Sequence, residues 1–160
     1  ARIVATDAIA SRRKLARECG AEEAWHPAEV DLPAETRRRS EGRGADLVII
    51  AASAPGLAQA AVACSRPGAR ILLFSQTSEE ERIELCGADS CKGERTLFGG
   101  YSASVDLQKQ SAELVFSGEL PVERLISHRL PLVKINSAFQ MALHPDDQSL
   151  KIILKPQRWV

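Results

Sequence analysis

Residues 45–52, with the sequence ADLVIIAA, form a continuous apolar run of the kind found in strands buried on both faces of a parallel sheet. A second apolar run, ARILLFS, follows at residues 69–75. Between the two, residues 55–68 (PGLAQAAVACSRPG) predict a helix of small residues that ends at Pro67 and Gly68. A strand, a helix and a second strand at this spacing predict a right-handed βαβ unit.

The same alternation extends outward in both directions. Strands are predicted in residues 1–7, 22–27 and 95–102, and helices in residues 8–20, 31–44 and 105–118. Residues 78–94 lack a clean period and predict a surface excursion. The expected fold is α/β, with a doubly wound parallel sheet of the Rossmann type.

The character of the chain changes after the predicted helix at residues 105–118. A Pro-bounded strand in residues 120–132, a short helix in residues 134–144 and a strand in residues 149–156 no longer continue the alternation. These segments predict a neighbouring lobe. We therefore expect two domains, residues 1–118 and residues 119–160.

Composition limits the classes of partner. The 21 basic and 21 acidic residues cancel, so no overall field favours nucleic acid or an anionic membrane. No apolar run approaches the roughly 18 residues that suggest a membrane-spanning helix, and the start does not resemble a signal peptide. We expect a soluble, cytoplasmic protein.

The cysteines and histidines are poorly spaced for a metal site. Of the four cysteines only Cys86 and Cys91, in CGADSC, are close together, and no histidine lies between them. We interpret them as two loop thiols, with a metal or redox role as the alternative. His26, His128 and His144 lie in turn-like or strand-like surroundings, so no metal ligand is expected among them.

Asp7 is the first candidate functional residue. In dinucleotide-binding folds, a carboxylate at the end of the second strand accepts hydrogen bonds from the adenosine ribose, and the glycine-rich turn follows the first strand. Asp7 ends the strand predicted in residues 1–7, but the fingerprint glycines would lie roughly 20 residues earlier. The expected fold therefore lacks its first strand and Gly-rich turn. The alternative role for Asp7 is a helix cap.

An ordered set of motifs over nearly the whole chain resembles the medium-chain dehydrogenase/reductase superfamily, and is most similar to its zinc-dependent alcohol, polyol (sorbitol) and threonine dehydrogenases. The resemblance implies that this chain is the carboxyl-terminal half of such an enzyme, with the zinc ligands in the other half and residues 119–160 belonging to the catalytic domain. The motifs are VATD (4–7), Arg12, LARECGA (15–21), GRGADLVI (42–49), RPGARILLF (66–74), GERTLFGGYS (93–102), LISHRLPLVKINSAF (125–139) and SLKIILKP (149–156).

The resemblance implies eight cofactor-binding residues. On the adenosine side, Asp7 would bind the ribose, and Arg12 would lie over the adenine or reach the ribose. The alternative for Arg12 is a solvated arginine. The eight residues are Asp7, Arg12, Ala52, Ser53, Ser75, Tyr101, Ser102 and Lys151.

The other implied residues follow the ends of later strands. Ala52, Ser53 and Ser75 would shape the backbone near the adenine and nicotinamide, with simple turns as the alternative. Tyr101 and Ser102 would lie on the nicotinamide side, although some relatives carry arginine in place of Ser102.

Lys151 matches a family cation that reaches the cofactor pyrophosphate, which a charged donor suits. Its alternative is an edge-strand lysine that faces solvent.

The implied function is hydride transfer between NAD and an alcohol or polyol. NAD is expected over NADP because Asp7 would repel a phosphate, and Ala8 and Ile9 supply no cation. The chain itself offers no zinc ligands and is expected to be inactive alone. The last sheet strand, residues 95–102, resembles the one through which family dimers join, which predicts a homo-oligomer. The alternatives are a non-catalytic remnant or interaction module and, with less support from the motifs, a methyltransferase-like Rossmann domain.

Overall fold

The computed structural model describes residues 1–75, 80, 82–101 and 104–156. Within these residues the chain forms seven strands, six α-helices and two 3₁₀ turns, the turns at Val122–Leu125 and Leu132–Lys134. The strands are β1 (Val4–Thr6), β2 (Glu23–Trp25), β3 (Ala45–Ile50), β4 (Ser65–Leu73), β5 (Thr96–Gly99), β6 (Ile126–Pro131) and β7 (Lys151–Lys155). The helices are α1 (Ala10–Glu18), α2 (Leu32–Arg39), α3 (Leu57–Cys64), α4 (Gly87–Cys91), α5 (Val105–Phe116) and α6 (Ile135–Leu143).

The chain divides into two compact units. One is continuous and spans residues 30–103, and the other combines residues 1–29 with residues 104–160. Across the described residues the strands form three parallel sheets, ordered β1–β2, β3–β4–β5 and β6–β7. Parallel sheets with connecting helices confirm the α/β, Rossmann-like fold expected from the sequence. None of the helices in the described part of the chain is both long and apolar enough to cross a membrane.

The continuous unit has its core on one face of the β3–β4–β5 sheet. Ile50 of β3 and Ile71 of β4 pack with Ala58 and Ala61 of α3, and all four residues are buried. The small side chains of α3 let the helix lie close to the strands, as the alanine-rich sequence suggests. The βαβ unit predicted from residues 45–75 is therefore confirmed.

The junction between α3 and β4 differs from the prediction. The helix ends at Cys64, before Pro67 and Gly68, and β4 begins at Ser65. Ser65 pairs with Ala45, but the next pair joins Arg70 to Leu47, so β4 carries an irregularity. Pro67 lies in that irregularity, where a residue without an N–H can be accommodated in a strand.

The described part of residues 78–94 is mostly exposed, as expected for a surface excursion, but it contains the helix α4, which was not predicted. Cys86 is the residue before this helix and Cys91 is its last residue, so Cys91 is not a loop thiol. Arg95 anchors the segment to β4. Its Nε donates to Ser65 Oγ at 2.8 Å, and its Nη1 lies 3.6 Å from a carboxylate oxygen of Asp89.

The second unit contains two small βαβ units. In the first, β1 and β2 pair in parallel and α1 connects them. In the second, β6 and β7 pair in parallel and α6 lies between them in the sequence. The helix α5 differs from these elements, because none of its residues is buried and Val105 and Phe116 are 80% and 86% exposed.

Candidate functional site

Asp7 lies immediately after β1, where its backbone N–H still donates to Trp25 O of β2 at 3.1 Å. Its Oδ1 accepts a hydrogen bond from the N–H of Ile9 at 2.8 Å. The helix α1 begins one residue later, and Ile9, its N-cap residue, makes no side-chain cap. Asp7 therefore closes the turn before the helix and is not its N-cap. Its side chain is 33% exposed, which leaves part of the carboxylate accessible.

Arg12 lies beside Asp7, in the first turns of α1. Its Nη1 is 4.0 Å from Asp7 Oδ2, and its Nη2 donates to the carbonyl of Ser149 at 3.2 Å. The Nε atom is buried and has no hydrogen-bond partner in the described structure. The side chain is 32% exposed, so Arg12 is not the fully solvated arginine of the alternative interpretation.

A second arginine of α1 holds the same strand end. Arg13 Nη1 donates to the carbonyls of Asp7 at 2.8 Å and Ala8 at 2.7 Å. These carbonyls follow β1 and have no helical partner. The role of Arg13 is not apparent from the sequence, because an arginine that binds backbone carbonyls leaves no side-chain motif.

The turn that precedes β7 is held by its own side chains. Asp146 Oδ1 accepts from the N–H of Gln148 at 2.9 Å and from Ser149 Oγ at 2.7 Å. The hydrogen bond from Ser149, followed by that from Gln148, lowers the pKa of the Asp146 carboxyl. Ser11 of α1 also donates to the carbonyl of Asp147. Ser149 is 5% exposed, so this polar turn is buried at its end.

Lys151 is the first residue of β7, and its side chain is exposed. Ser127 of β6 fixes its backbone: Ser127 Oγ donates to the carbonyl of Lys151 at 3.1 Å and accepts from the N–H of Leu150 at 2.8 Å. The β6–β7 register shifts between Ile126 and His128, so the hydroxyl of Ser127 replaces a backbone partner there.

Three of the predicted residues meet in the continuous unit. Ala52, Ser53 and Ser75 follow β3 and β4 and line a cavity of about 350 Å³ at the carboxyl ends of these strands. Ser75 Oγ donates to the carbonyl of Ala52 at 2.7 Å, which ties the two strand ends together. Other residues that line the cavity were not predicted from the sequence, among them Gly56, Gln59, Arg82 and Glu84.

Gly56 is the lining residue that a sequence signal could have identified. It has a φ of 83° and is the N-cap residue of α3, a conformation that favours glycine. The Pro55-Gly56 pair is itself a turn signal.

Tyr101, one of the two residues predicted on the nicotinamide side, is not brought into this cavity. Tyr101 follows β5 and is 84% exposed, and it does not line the cavity. Ser102 lies outside the described residues.

The described residues do not fit a metal centre. Among residues 1–75, 80, 82–101 and 104–156, no three His, Cys, Asp or Glu side chains form a group that could hold a metal ion. All four cysteines are free thiols, and Cys86 and Cys91 are exposed. Partial burial raises the pKa of the Cys64 thiol. The donor set of this part of the chain therefore does not match a zinc site, which needs three or four converging protein ligands.

Characterised dehydrogenases are similar to this chain along nearly all of its length. It is 24% identical over 157 residues to (R,R)-butanediol dehydrogenase of Neisseria gonorrhoeae and 26% identical over 159 residues to alcohol dehydrogenase 1 of Pisum sativum. The alignments cover 97% and 96% of the chain, but 44% and 41% of the relatives. The chain thus spans less than half the length of the curated relatives that it matches.

Solved structures share the fold. An alcohol dehydrogenase of Thermotoga maritima superimposes with a TM-score of 0.89 at 20% identity, over 98% of this chain and 44% of that protein. A short chain alcohol dehydrogenase of E. coli CFT073, complexed with NADH, gives a TM-score of 0.84 at 23% identity, over 96% of this chain and 44% of that one. A zinc-binding dehydrogenase of Sinorhizobium meliloti 1021, bound to NADP, gives 0.86 at 22% identity, over 97% and 45%.

The family model described as zinc-binding dehydrogenase matches residues 1–117. That range includes the Asp7–Arg12 corner and the strand ends around the cavity. It agrees with the resemblance to the medium-chain dehydrogenase/reductase superfamily carried by the sequence motifs. The chain belongs to the zinc-binding dehydrogenase family.

Proposed function

We propose that this chain is the carboxyl-terminal, cofactor-binding portion of an enzyme that transfers a hydride between NAD and an alcohol or polyol. The observation that carries the proposal is the carboxylate of Asp7, which follows β1 and is one-third exposed, in a chain of this family. Residues 1–118 would form the cofactor domain, and residues 119–160 a segment of the catalytic domain.

Each residue has a defined part in cofactor binding. Asp7 would accept hydrogen bonds from the ribose hydroxyls through the exposed part of its carboxylate, since the N–H of Ile9 donates to Oδ1 alone. Lys151, exposed at the start of β7, would donate to the pyrophosphate. The cofactor, when bound, supplies the hydride chemistry.

The residues that follow β3 and β4 would shape the surface against which the cofactor binds. Ala52, Ser53 and Ser75 line one cavity, and their backbone would face the adenine and nicotinamide portions of the cofactor. Tyr101 and Ser102 would lie on the nicotinamide side. The exposure of Tyr101 leaves its ring available for such a contact.

NAD is the proposed cofactor rather than NADP. One solved structure with this fold is complexed with NADH and another is bound to NADP, so the fold alone does not determine which cofactor is preferred. Asp7 would repel the additional phosphate of NADP. Ala8 and Ile9 supply no compensating cation, and the Arg12 guanidinium already donates to Ser149.

The zinc that the family name implies would be bound by residues other than those described here, because no fitting group of ligands is present among them. We propose that this chain alone turns over no alcohol. Substrate polarisation is therefore not assigned to any residue of the chain.

The test is cofactor selectivity in the natural gene product. We expect kcat/KM to be higher with NAD than with NADP, and Asp7→Ser to shift the ratio toward NADP by about 10–100-fold. Asp147→Asn is the matched control, since it removes a carboxylate from the turn before β7 and keeps the backbone carbonyl that accepts from Ser11. Equal use of both cofactors by the wild type would refute the assignment of Asp7.

We also propose a homo-oligomer that forms through β5. In the sheet order β3–β4–β5 this strand lies at an edge, with β4 as its hydrogen-bonded neighbour in the described residues. An exposed strand edge is a template for pairing with a second chain. Size-exclusion chromatography with light scattering should show a dimer or larger species, and a monomer at all concentrations would contradict this.

A cytoplasmic location is proposed from the cysteines. All four are free thiols, which suits a reducing compartment. Fractionation of cells followed by thiol labelling of the protein would test it. Disulfide-bonded protein outside the cytoplasm would be the contrary result.

A further inference from the structure

We propose that Arg12 is a positioning residue, which ties the turn at residues 146–149 to the end of β1 and thereby holds Lys151 in place before the cofactor binds. The inference rests on the proposed function, because it assigns Lys151 to the pyrophosphate. It differs from the role that the family resemblance implies for Arg12, which is direct contact with the adenosine.

The geometry of the guanidinium is the first observation. Its two amino groups point to different partners: Nη1 lies 4.0 Å from Asp7 Oδ2, and Nη2 donates to Ser149 O at 3.2 Å. The two partners are 142 positions apart in the sequence but belong to the same compact unit. The Nε atom is buried and has no hydrogen-bond partner in the described structure, so the two amino groups supply the contacts of this side chain. A planar fork of donors can bridge two acceptors in this way, and an ammonium group would do so less well.

The turn that Arg12 contacts is fixed by further hydrogen bonds, within the turn and from α1. Asp146 closes the turn through the N–H of Gln148 and the hydroxyl of Ser149. Ser11, next to Arg12, donates to the carbonyl of Asp147. Two consecutive residues of α1 thus hold two carbonyls of one turn.

From the turn, the connection continues into β7. The N–H of Leu150 donates to Ser127 Oγ at 2.8 Å, and the same hydroxyl donates to the carbonyl of Lys151 at 3.1 Å. The backbone around Lys151 is therefore held from one side by α1, through the turn, and from the other by β6. The Lys151 side chain itself stays exposed and can meet an anion.

The first arm of the test uses no cofactor. Hydrogen exchange of the amides of Gln148, Ser149 and Leu150 should be at least about tenfold faster in Arg12→Gln than in the wild type, because a charged donor to the turn is lost. Lys14→Gln, which removes a charge from the same helix at an 80% exposed side chain, should leave exchange unchanged. Arg12→Lys should restore part of the protection. Unchanged exchange in Arg12→Gln would overturn the proposal.

The second arm is a double-mutant cycle on the Kd for NAD, measured by calorimetry on the natural gene product. Arg12→Gln and Lys151→Ala should each weaken binding about tenfold, and the double variant should bind no more than about twofold more weakly than Lys151→Ala. Additive losses, about a hundredfold, would show that Arg12 contacts the cofactor itself and would overturn the positioning role. Absence of NAD binding by the wild type would instead refute the proposed function, while the exchange arm still decides whether Arg12 holds the turn.

Discussion

The β3–β4–β5 sheet and the Asp7–Arg12 corner are stabilised in opposite ways. In the sheet, Ile71 is 1% exposed and packs against the small side chains of α3. In the corner, Asp7 and Arg12 are each about one-third exposed and are joined to their neighbours by hydrogen bonds and charge. Substitutions in the sheet should therefore change global stability, whereas substitutions in the corner should change local order and binding.

Truncation of the sheet core should have the largest effect. Ile71→Ala is expected to lower the free energy of unfolding by about 2–5 kcal/mol, because it removes buried methyl groups and leaves a cavity. Urea denaturation monitored by circular dichroism would measure it. Ile49→Ala is the control, since Ile49 is in the same sheet but 54% exposed, and it should cost less than about 1 kcal/mol. Similar losses in both variants would show that the two residues are not divided into core and surface as described.

Substitution of Gly44, which lies close to the backbone of residues 64–66, should give the second largest effect. Gly44 has a φ of 104°, and a Cβ placed there would lie 2.9 Å from Arg66 N and from Cys64 O. Gly44→Ala should therefore cost about 2–3 kcal/mol, from both the left-handed conformation and the clash. Gly42 has a φ of 84°, but a Cβ placed there would have no atom within 4 Å. Gly42→Ala should therefore lower the free energy of unfolding by only about 1 kcal/mol. Equal thermal stabilities of the two variants would contradict the clash.

The sequence predicted the fold well where local pattern decides it. The apolar runs at residues 45–52 and 69–75 identified β3 and β4. The expectation that β3 is buried on both faces was wrong, since Leu47 and Ile49 are 52% and 54% exposed. The end of α3 was predicted too late, since Pro67 is accommodated by a strand irregularity that depends on pairing with β3. The helix α4 was missed because five residues are too few to show a helical period.

The candidate site was predictable only in part. Asp7 could be selected as a candidate because it follows a predicted strand, and ligands of parallel sheets bind at the carboxyl ends of strands. The same rule selects Ala52, Ser53 and Ser75. The contact between Arg12 and Ser149 joins residues 137 positions apart, and no periodicity encodes it. The turn composition of Pro145-Asp146-Asp147 is the signal that could have drawn attention to this segment.

A smaller effect should come from Cys64 at alkaline pH. Burial raises the pKa of this thiol from the ordinary value of 9.0, so the unfolded chain releases the proton first as the pH rises. Stability from the buried thiol is full below about pH 9 and should fall above it. Urea denaturation at about pH 8 and about pH 10 should show a larger decrease for the wild type than for Cys64→Ala. The same decrease in both proteins would exclude Cys64 as the cause.

The smallest effect should be confined to the turn before β7. Hydrogen bonds from Ser149 and Gln148 lower the pKa of Asp146, so its contribution to turn order is present above its ordinary value of 3.8 and is lost as the pH falls through the lowered value. The amide resonance of Gln148 should titrate in that acidic range by nuclear magnetic resonance. In Asp146→Asn this titration should disappear, and its persistence would assign the transition to another group. Global stability should change little in either protein.

The division into a continuous and a discontinuous unit has a consequence for synthesis on the ribosome. Residues 30–103 are contiguous, so the β3–β4–β5 sheet can fold as soon as β5 leaves the exit tunnel. The first 29 residues emerge earlier, yet their hydrogen bonds from Ser11 and Arg12 reach residues 147 and 149. They must therefore wait for more than a hundred further residues to be translated. At an elongation rate of roughly 5–20 residues per second, this interval lasts at least several seconds, during which a nascent-chain chaperone can bind β1.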